Sequence, residues 1–313
     1  MTQLSRRTAA LLAPAICLAL LSLAGCSAKK SAVPTGTSEV DKFLYDKGTE
    51  ALEKKRWYTA REYFQRIVDN YPQSPYRPDA KIGVGDAFLG DGTIEGFTLA
   101  IAEFKEFLTF FPTHQRADYA QYKLGMGHFK QMRAPQRDQS ETRAAVQEFE
   151  TFVERYPNSP LLPEVQARLR EARDRVSTAE YQVGYFYFRA RWYPGAIERL
   201  RSLVKSDPGF TSRDAVYFYL AESLMKVKLE AEALPYYDRL TKEFESSEFL
   251  PKAKARLEEF KQIGTAPPAA GAAATTPVAP TPEAASSKPA DATPANGSDV
   301  VVPPPAPPKP PRT

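Results

Sequence analysis

Cysteine and histidine are almost absent from these 313 residues, which contain only Cys17, Cys26, His114 and His128. Cys17 lies inside an apolar run and Cys26 closes it, so neither a disulfide framework nor a four-ligand metal site is written into the chain. Net charge is low as well. The balance of 42 basic against 38 acidic residues leaves +4, without the excess that marks a nucleic-acid binder. Paired carboxylates, clustered metal ligands and a nucleophile on a sharp turn near a histidine are not seen either, so hydrolase and metalloenzyme chemistry have no motif to rest on. The expectation is a binding or scaffolding protein that is not an enzyme and needs no cofactor.

What is present begins with an apolar leader. Residues 1–8 carry Arg6 and Arg7 and no acid, residues 9–24 are apolar apart from Pro14 and Ser22, and Leu23-Ala24-Gly25-Cys26 follows. This is the layout of a signal peptide, and sixteen residues fall short of the roughly 20 that cross a bilayer as a helix. The four-residue ending resembles the bacterial lipobox, which implies cleavage of residues 1–25 and a covalent diacylglycerol and N-acyl lipid (palmitate among the usual chains) on Cys26. An ordinary secretory signal with an incidental cysteine is the alternative. Several acyl chains anchor a protein stably where one does so only marginally. Ser27, in place of an acid, resembles lipoproteins forwarded to the outer membrane of Gram-negative bacteria. Residues 26–38 read as a flexible tether that leaves the folded part on the periplasmic face.

The other end is equally distinctive. Fourteen of the 28 prolines fall in residues 264–313, among Ala, Ser and Thr. A stretch with so little to bury has nothing to offset the roughly 1–2 kcal/mol per residue lost on ordering backbone, so residues 261–313 read as a disordered Pro/Ala-rich tail.

Between them, residues 39–260 show no strand alternation and repeat a pattern at tetratricopeptide (TPR) spacing. Gly48, Ala60, Phe64 and Pro72 set it, and Gly184, Ala196, Leu200 and Pro208 repeat it at the same intervals. Gly85, Ala100, Phe104 and Pro112 form a copy with three extra residues; Gly125, Ala145, Phe149 and Pro157 form one with eight extra around Gln131 to Thr142. A fifth uses Ala221, Ala233, Tyr237 and Leu240, with Glu245 in place of the proline. The fold expected is all-α, a superhelical stack of about five TPR hairpins (41–75, 78–114, 118–160, 162–210, 213–247) plus a terminal helix. The spacing between the third and fourth copies predicts one long helix from about Leu162 to Ala190. Its Arg168, Arg170, Arg173 and Arg175 read as part of a solvated mixed-charge face. His114 reads as a capping or packing residue and His128 as a packing residue.

In such stacks first-helix residues one turn from the small position build the inner wall. Here they are Tyr45 and Thr49, Ile82 and Asp86, Tyr122 and Met126, Tyr181 and Tyr185, and Phe218 with Glu222. Most are aromatic or apolar, which suits an extended aromatic-rich peptide. Residues 181–193 hold seven aromatics, too wide a band for one helix to bury. Tyr187 and Phe186 are assigned to packing, and Tyr185, Phe188 and Trp192 to contact with a partner.

The lipobox, the five repeats, and the strings Tyr71-Pro72-Gln73-Ser74-Pro75-Tyr76, Phe111-Pro112-Thr113-His114, Tyr156-Pro157-Asn158-Ser159 and Glu180-Tyr181 with Trp192 together resemble the BamD, or ComL, family of outer-membrane assembly lipoproteins. The resemblance implies an adaptor of the BAM complex that binds the POTRA region of BamA through its C-terminal repeats, with other BAM lipoproteins as neighbours. It also implies that the N-terminal repeats receive unfolded outer-membrane β-barrel substrates. Carried over by position, Arg199 matches the family arginine at the BamA contact, with Tyr181, Tyr185, Phe188 and Trp192 nearby. Tyr71, Pro72, Pro75 and Tyr76 match the first-repeat signature of the substrate region, and Tyr45, Ile82 and Tyr122 extend that groove. A repeat lipoprotein serving envelope division or secretin and pilus assembly is the alternative, separated by whether a POTRA-containing barrel or a secretin ring co-purifies.

Replacing the lipidated residue tests the anchor directly. Cys26→Ala is expected to move the chain from the membrane fraction to the soluble periplasm; retention in carbonate-washed membranes of cells lacking BamA would refute the anchor.

Overall fold

The computed structural model describes residues 40–265, with side chains through residue 262. The leader 1–25, Cys26 and its expected lipid, the tether 26–38 and the tail beyond residue 265 lie outside the described residues. Within them are eleven helices and no strand. Ten of the helices pair: α1 (Val40–Glu53) with α2 (Trp57–Asn70), α3 (Arg77–Asp91) with α4 (Ile94–Phe110), and α5 (Ala117–Phe129) with α6 (Ser140–Arg155). The series continues with α7 (Leu162–Arg189) and α8 (Tyr193–Ser206), then α9 (Arg213–Lys226) and α10 (Glu230–Glu243); α11 (Leu250–Thr265) closes it. Each helix packs on the next, so the chain is a superhelical stack of TPR hairpins. No helix among the described residues is long and apolar enough to cross a membrane.

The five second helices bury the same stripe. Ala60, Phe64 and Ile67 recur as Ala100, Phe104 and Phe107, as Ala145, Phe149 and Phe152, as Ala196, Leu200 and Leu203, and as Ala233, Tyr237 and Leu240. Steps of four and three residues keep these side chains on one helical face, leaving the opposite face to polar residues and water. The first helices differ. α3, α5 and α9 are buried on nearly every side, because each lies between its own partner and a neighbouring hairpin. Successive first helices also touch one another, α1 with α3, α3 with α5 and α7 with α9, more extensively than successive second helices do. The row of first helices is therefore the crowded, inner side of the stack.

Close approach within each hairpin rests on the small position. A Cβ added to Gly48 would lie 2.6 Å from the Phe64 ring, one on Gly85 2.8 Å from Phe104, one on Gly125 2.5 Å from Phe149, and one on Gly184 2.6 Å from Leu200. A Cβ added to Gly83 would lie 2.5 Å from the other edge of Phe64, so that one ring joins two hairpins.

Each hairpin is then closed at its far end. Ser74, Ser159 and Ser247 donate to Asp41, Asp118 and Asp214, all at 2.6 Å, from the turn after the second helix to the first turn of the first. The same hydroxyls accept from the backbone N–H two residues on, at 3.1, 3.2 and 3.1 Å. In the second hairpin His114 takes the serine's place: its Nδ1 accepts from Arg116 N at 3.2 Å and its ring meets Phe107 edge-on, while Arg116 pairs with Asp79 at 3.0 Å.

Both insertions are absorbed locally. The three extra residues of the second repeat make α4 a turn longer than α2, started by Thr93, whose hydroxyl accepts from Gly96 N at 2.9 Å. The eight of the third form a loop between α5 and α6. It is held by the buried Gln139 amide, which donates to Ala134 O at 2.9 Å and Arg137 O at 3.0 Å. The long helix is α7, whose first half packs on α6 and whose second half pairs with α8. α11 packs Leu257 and Phe260 on the C-terminal core and runs to Thr265, five residues past the expected end of the folded part.

Gly125→Ala tests the close approach. Overpacking against the fully buried Phe149 is expected to cost about 1–3 kcal/mol, more than the roughly 1 kcal/mol that alanine gains over glycine in a helix. Thermal melting should show a midpoint lower by about 2–4 °C per kcal/mol of net loss, whereas an unchanged or raised midpoint would show that the ring yields.

Candidate functional site

The fourth hairpin carries two of the exposed aromatic residues, Phe186 and Trp192, and its position is set by a polar latch around the buried Asp207. Arg170 on α7 donates from Nη1 to Asp207 Oδ1 at 2.9 Å and pairs with Asp174 at 3.0 Å; the buried Ser177 hydroxyl donates to Asp207 at 2.6 Å. Thr211 closes the same corner, donating from its hydroxyl to Asp174 at 2.7 Å. Burial pushes the Asp207 carboxyl upward, but hydrogen bonds from Arg170 and Ser177 outweigh it and hold that carboxyl below its ordinary value. The α7 arginines are thus not one solvated face. Arg168 and Arg173 lie at the surface with Glu171 and Glu150, whereas Arg170 turns inward and ties α7 to the end of α8.

α7 then presents two opposed aromatic faces. Tyr181, Tyr185 and Phe188 follow one another at steps of four and three residues and share a face; Val183 and Phe186 point the other way. On the first face the Tyr181 and Tyr185 rings are 6.0 Å apart at 16°, and Tyr185 and Phe188 are 6.5 Å apart at 17°. Tyr219 of α9 crosses all three, at 6.3, 4.7 and 5.0 Å. Burial pushes the Tyr219 hydroxyl up to about 12 and raises that of Tyr181, while hydrogen bonds with Arg189 and Tyr219 hold Tyr185 below its ordinary value.

The second face is more exposed. Phe186 is 58% accessible, Trp192 43% and Val183 40%. The Trp192 indole lies on Gly195, in the first turn of α8, and meets Tyr187 edge-on at 4.7 Å. Beside it Glu180 sits between Arg143 at 3.5 Å and Arg199 at 4.0 Å. A cleft of about 520 Å³ opens between this face and the third-hairpin loop, lined by Pro135, Arg137, Asp138, Val183 and Phe186 among others.

The expected site residues therefore separate. Tyr181, Tyr185 and Phe188 occur together, half-buried, on the first face; Trp192 and Arg199 lie with the second. Phe186, assigned to packing, is instead exposed, because Gly184 and not Phe186 meets α8. Several wall assignments are corrected. Ile82 is wholly buried among Ala100, Phe104 and Leu124, and Tyr122 is buried with its hydroxyl donating to Glu164 at 2.6 Å. Met126 is buried too, and the C-terminal segment covers Phe218 through Phe249, just before α11, at 4.8 Å and Glu222 through Arg256 of α11 at 2.9 Å. These side chains offer no wall to a peptide, because first helices are the middle of the stack.

At the N-terminal end Tyr45 stacks on Tyr76 at 5.2 Å and remains half-exposed. Tyr71, Pro72 and Pro75 build the turn from α2 to α3: Tyr71 N–H caps Ile67 O at 3.0 Å, and both prolines face solvent. Equivalent aromatic caps recur at Phe111, Tyr156 and Phe244, so this signature has a turn-building role wherever it occurs. His128 Nδ1 lies 2.7 Å from Glu141. Among the described residues no group of three or more His, Cys, Asp or Glu is placed to hold a metal ion. Tyr219, which joins the three rings of the first face, was not singled out by the repeat register, which points to its neighbour Phe218; the run Tyr217-Phe218-Tyr219 is the only sequence signal for it.

Residues 38–234 match the YfiO family, described as outer membrane lipoprotein. The chain is similar to outer membrane protein assembly factor BamD of Vibrio cholerae, with 28% identity over 201 residues, 61% of this chain and 81% of that protein. It is similar to BamD of Caulobacter vibrioides, with 26% identity over 227 residues (70% and 73%), and to that of Rickettsia prowazekii, with 24% over 246 residues (77% and 94%). Among solved structures, the TPR2AB domain of yeast Sti1 matches 72% of this chain and all of that one at 11% identity and a TM-score of 0.35.

The latch predicts a pH dependence. A carboxyl held below the unfolded value of about 3.9 stabilises the fold above that pH and loses its contribution as pH falls through the folded-state pKa. Asp207→Asn is expected to cost about 1–3 kcal/mol in urea unfolding at pH 7, with the difference from the parent shrinking below about pH 4. A difference constant from pH 7 to pH 3 would remove Asp207 from the latch.

Proposed function

Because the chain belongs to the YfiO family of outer membrane lipoproteins, we propose that it is a non-enzymatic adaptor of outer-membrane β-barrel assembly, lipid-anchored at Cys26 on the periplasmic face. It joins the POTRA region of BamA to unfolded outer-membrane proteins within the BAM complex and promotes their folding and insertion. The names of its relatives, assembly factors of the outer membrane, support this placement. The observation that carries the division of labour is the pair of opposed faces on α7.

An adaptor must hold two partners at once without one displacing the other. The Phe186 and Trp192 face, with Arg199 and Glu180 at its margin, has an apolar centre and a charged rim, the composition of a protein–protein contact. It is assigned to BamA. The opposite face of Tyr181, Tyr185 and Phe188 looks onto the inner row of helices; although the resemblance implies these residues at the BamA contact and the client at the N-terminal repeats, this face is assigned here to the client. Binding free energy alone positions that client, since no bond is made or broken.

Charge reversal at the rim separates the faces. Arg199→Glu is expected to weaken co-purification with BamA by about tenfold, near 1.4 kcal/mol, while Tyr185→Ala leaves it unchanged. Undiminished co-purification with Arg199→Glu would take Arg199 out of the interface, and an equal loss with Tyr185→Ala would end the two-face assignment.

A further inference from the structure

The turns inside the hairpins break a backbone rule that the turns between hairpins keep. Lys55, Arg191 and Lys228 hold φ of 55, 61 and 66°, the left-handed conformation that Gly92 takes at 75° in the second hairpin. Glycine adopts it freely and a side chain does not, so lysine or arginine at three such positions points to a role for the charge outside the turn. None of the three has an ion pair among the described residues.

Antiparallel pairing sets these turns along one edge of the stack, and in the first three hairpins they adjoin. A Cβ on Gly90 would lie 2.7 Å from the Trp57 ring, and Arg61 reaches Asp91 at 3.5 Å. Ile94 and Phe97 of α4 share a cleft of about 330 Å³ with Lys130 and Arg133 beyond α5. Tyr58 and Ile94 are the most exposed large apolar side chains among the described residues, at 68% and 71%. Around them Lys55, Arg56, Lys130, Arg133 and Arg137 are exposed and without an ion pair among the described residues, against the exposed acids Glu53, Glu95 and Asp138. On the opposite edge the balance reverses: Asp41, Asp79 and Asp118 stand in the first turns of α1, α3 and α5.

Aromatic and aliphatic side chains set among lysines and arginines suit the headgroup layer of a bilayer, with apolar groups at the acyl boundary and cations on the phosphates. Such a surface is within reach of Cys26. Residues 27–39 span at most about 45 Å when extended, and the 14 residues of α1 rise only about 21 Å, so the edge at its far end can meet the bilayer that holds the lipid.

We propose that this edge, Tyr58 and Ile94 with Lys55, Arg56, Lys130 and Arg133, rests on an anionic phospholipid bilayer. The proposal takes the lipid on Cys26 from the reading above and adds an orientation, with the turns inside the first three hairpins toward the membrane and the turns between them away. Contact of this kind is weak and salt-dependent, so it orients a chain that the lipid already holds and does not replace the anchor.

The test uses the full-length lipidated protein in nanodiscs of phosphatidylcholine, with or without phosphatidylglycerol, and an environment-sensitive fluorophore on Ile94→Cys or, at the opposite edge, on Gln73→Cys. Emission from position 94 is expected to shift to the blue only with phosphatidylglycerol and to return at about 1 M salt, where the Debye length is about 3 Å; position 73 should not move. Lys55→Gln with Arg56→Gln should weaken sedimentation of the unlipidated Cys26→Ala chain with phosphatidylglycerol vesicles by about 25-fold. Lys55→Gly should weaken it about fivefold without lowering the thermal midpoint, since glycine suits the left-handed turn. An equal shift in phosphatidylcholine alone, a shift at both positions, or one seen only when BamA is added overturns the proposal, the last giving the edge to a protein partner. If the chain enters the nanodiscs while position 94 stays in water, the edge is wrong and the anchor stands. If it fails to enter them, the anchor falls, and vesicle sedimentation of the Cys26→Ala chain decides the edge.

Discussion

The helices of a hairpin lie as close as they do because Gly48, Gly85, Gly125 and Gly184 have no side chain where Phe64, Phe104, Phe149 and Leu200 insert. Glycine in mid-helix is disfavoured by about 1 kcal/mol relative to alanine, and that cost is recovered only if a large apolar side chain fills the space so made. The contact therefore works in both directions. A smaller ring would leave a cavity, and a larger small residue would push the helices apart. Neighbouring hairpins share the arrangement: Phe64 meets Gly48 on one side and Gly83 on the other, so the spacing within one unit sets the spacing to the next.

Close spacing has a consequence for what can be bound. With first helices crowded on the inner side, Ile82, Tyr122 and Phe218 become core residues, although an isolated hairpin would show them to solvent. The fourth hairpin escapes because α7 is 28 residues long. Its first half fills the place of a packed neighbour, and the Arg170, Ser177 and Asp207 latch fixes where the second half departs. The polar latch adds to the contacts of Gly184 with Leu200 and of Tyr219 with the three rings in holding this part of the helix in position. A charged latch of this kind adds less net stability than an apolar core of equal volume, but it specifies geometry.

Much of the stack was legible in the residues. A small residue followed twelve positions on by alanine and sixteen on by a large apolar side chain is a spatial statement about two crossing helices, and it held at Gly48, Ala60 and Phe64 as at Gly184, Ala196 and Leu200. The long α7 was legible from the excess spacing before Gly184. The site was less so, for a physical reason. Exposure of Ile82 or Tyr122 depends on the neighbouring hairpin, and the register within one repeat carries no information about how tightly the next one packs. Phe186 shows the converse. Repeat packing was expected to claim it, but the glycine two positions earlier takes the contact with Leu200 and leaves the phenylalanine outside.

An exposed phenylalanine by itself requires no explanation, since most folded surfaces carry some apolar area. Val183 and Phe186 are different because they adjoin on one face of a helix whose other side also bears accessible rings, with Tyr187 linking Phe186 to Trp192 and with Glu180 paired to Arg143 and Arg199 nearby. Covering each such side chain with a partner yields about 1.5–3 kcal/mol, and the two sides draw on separate surfaces of one rigid helix. Occupancy of one face need not alter the other unless α7 itself shifts, and the latch to Asp207 opposes that shift. The arrangement thus favours independent binding of two polypeptides over competition between them, which is the thermodynamic requirement for a bridge: the ternary complex forms with the full affinity of both contacts.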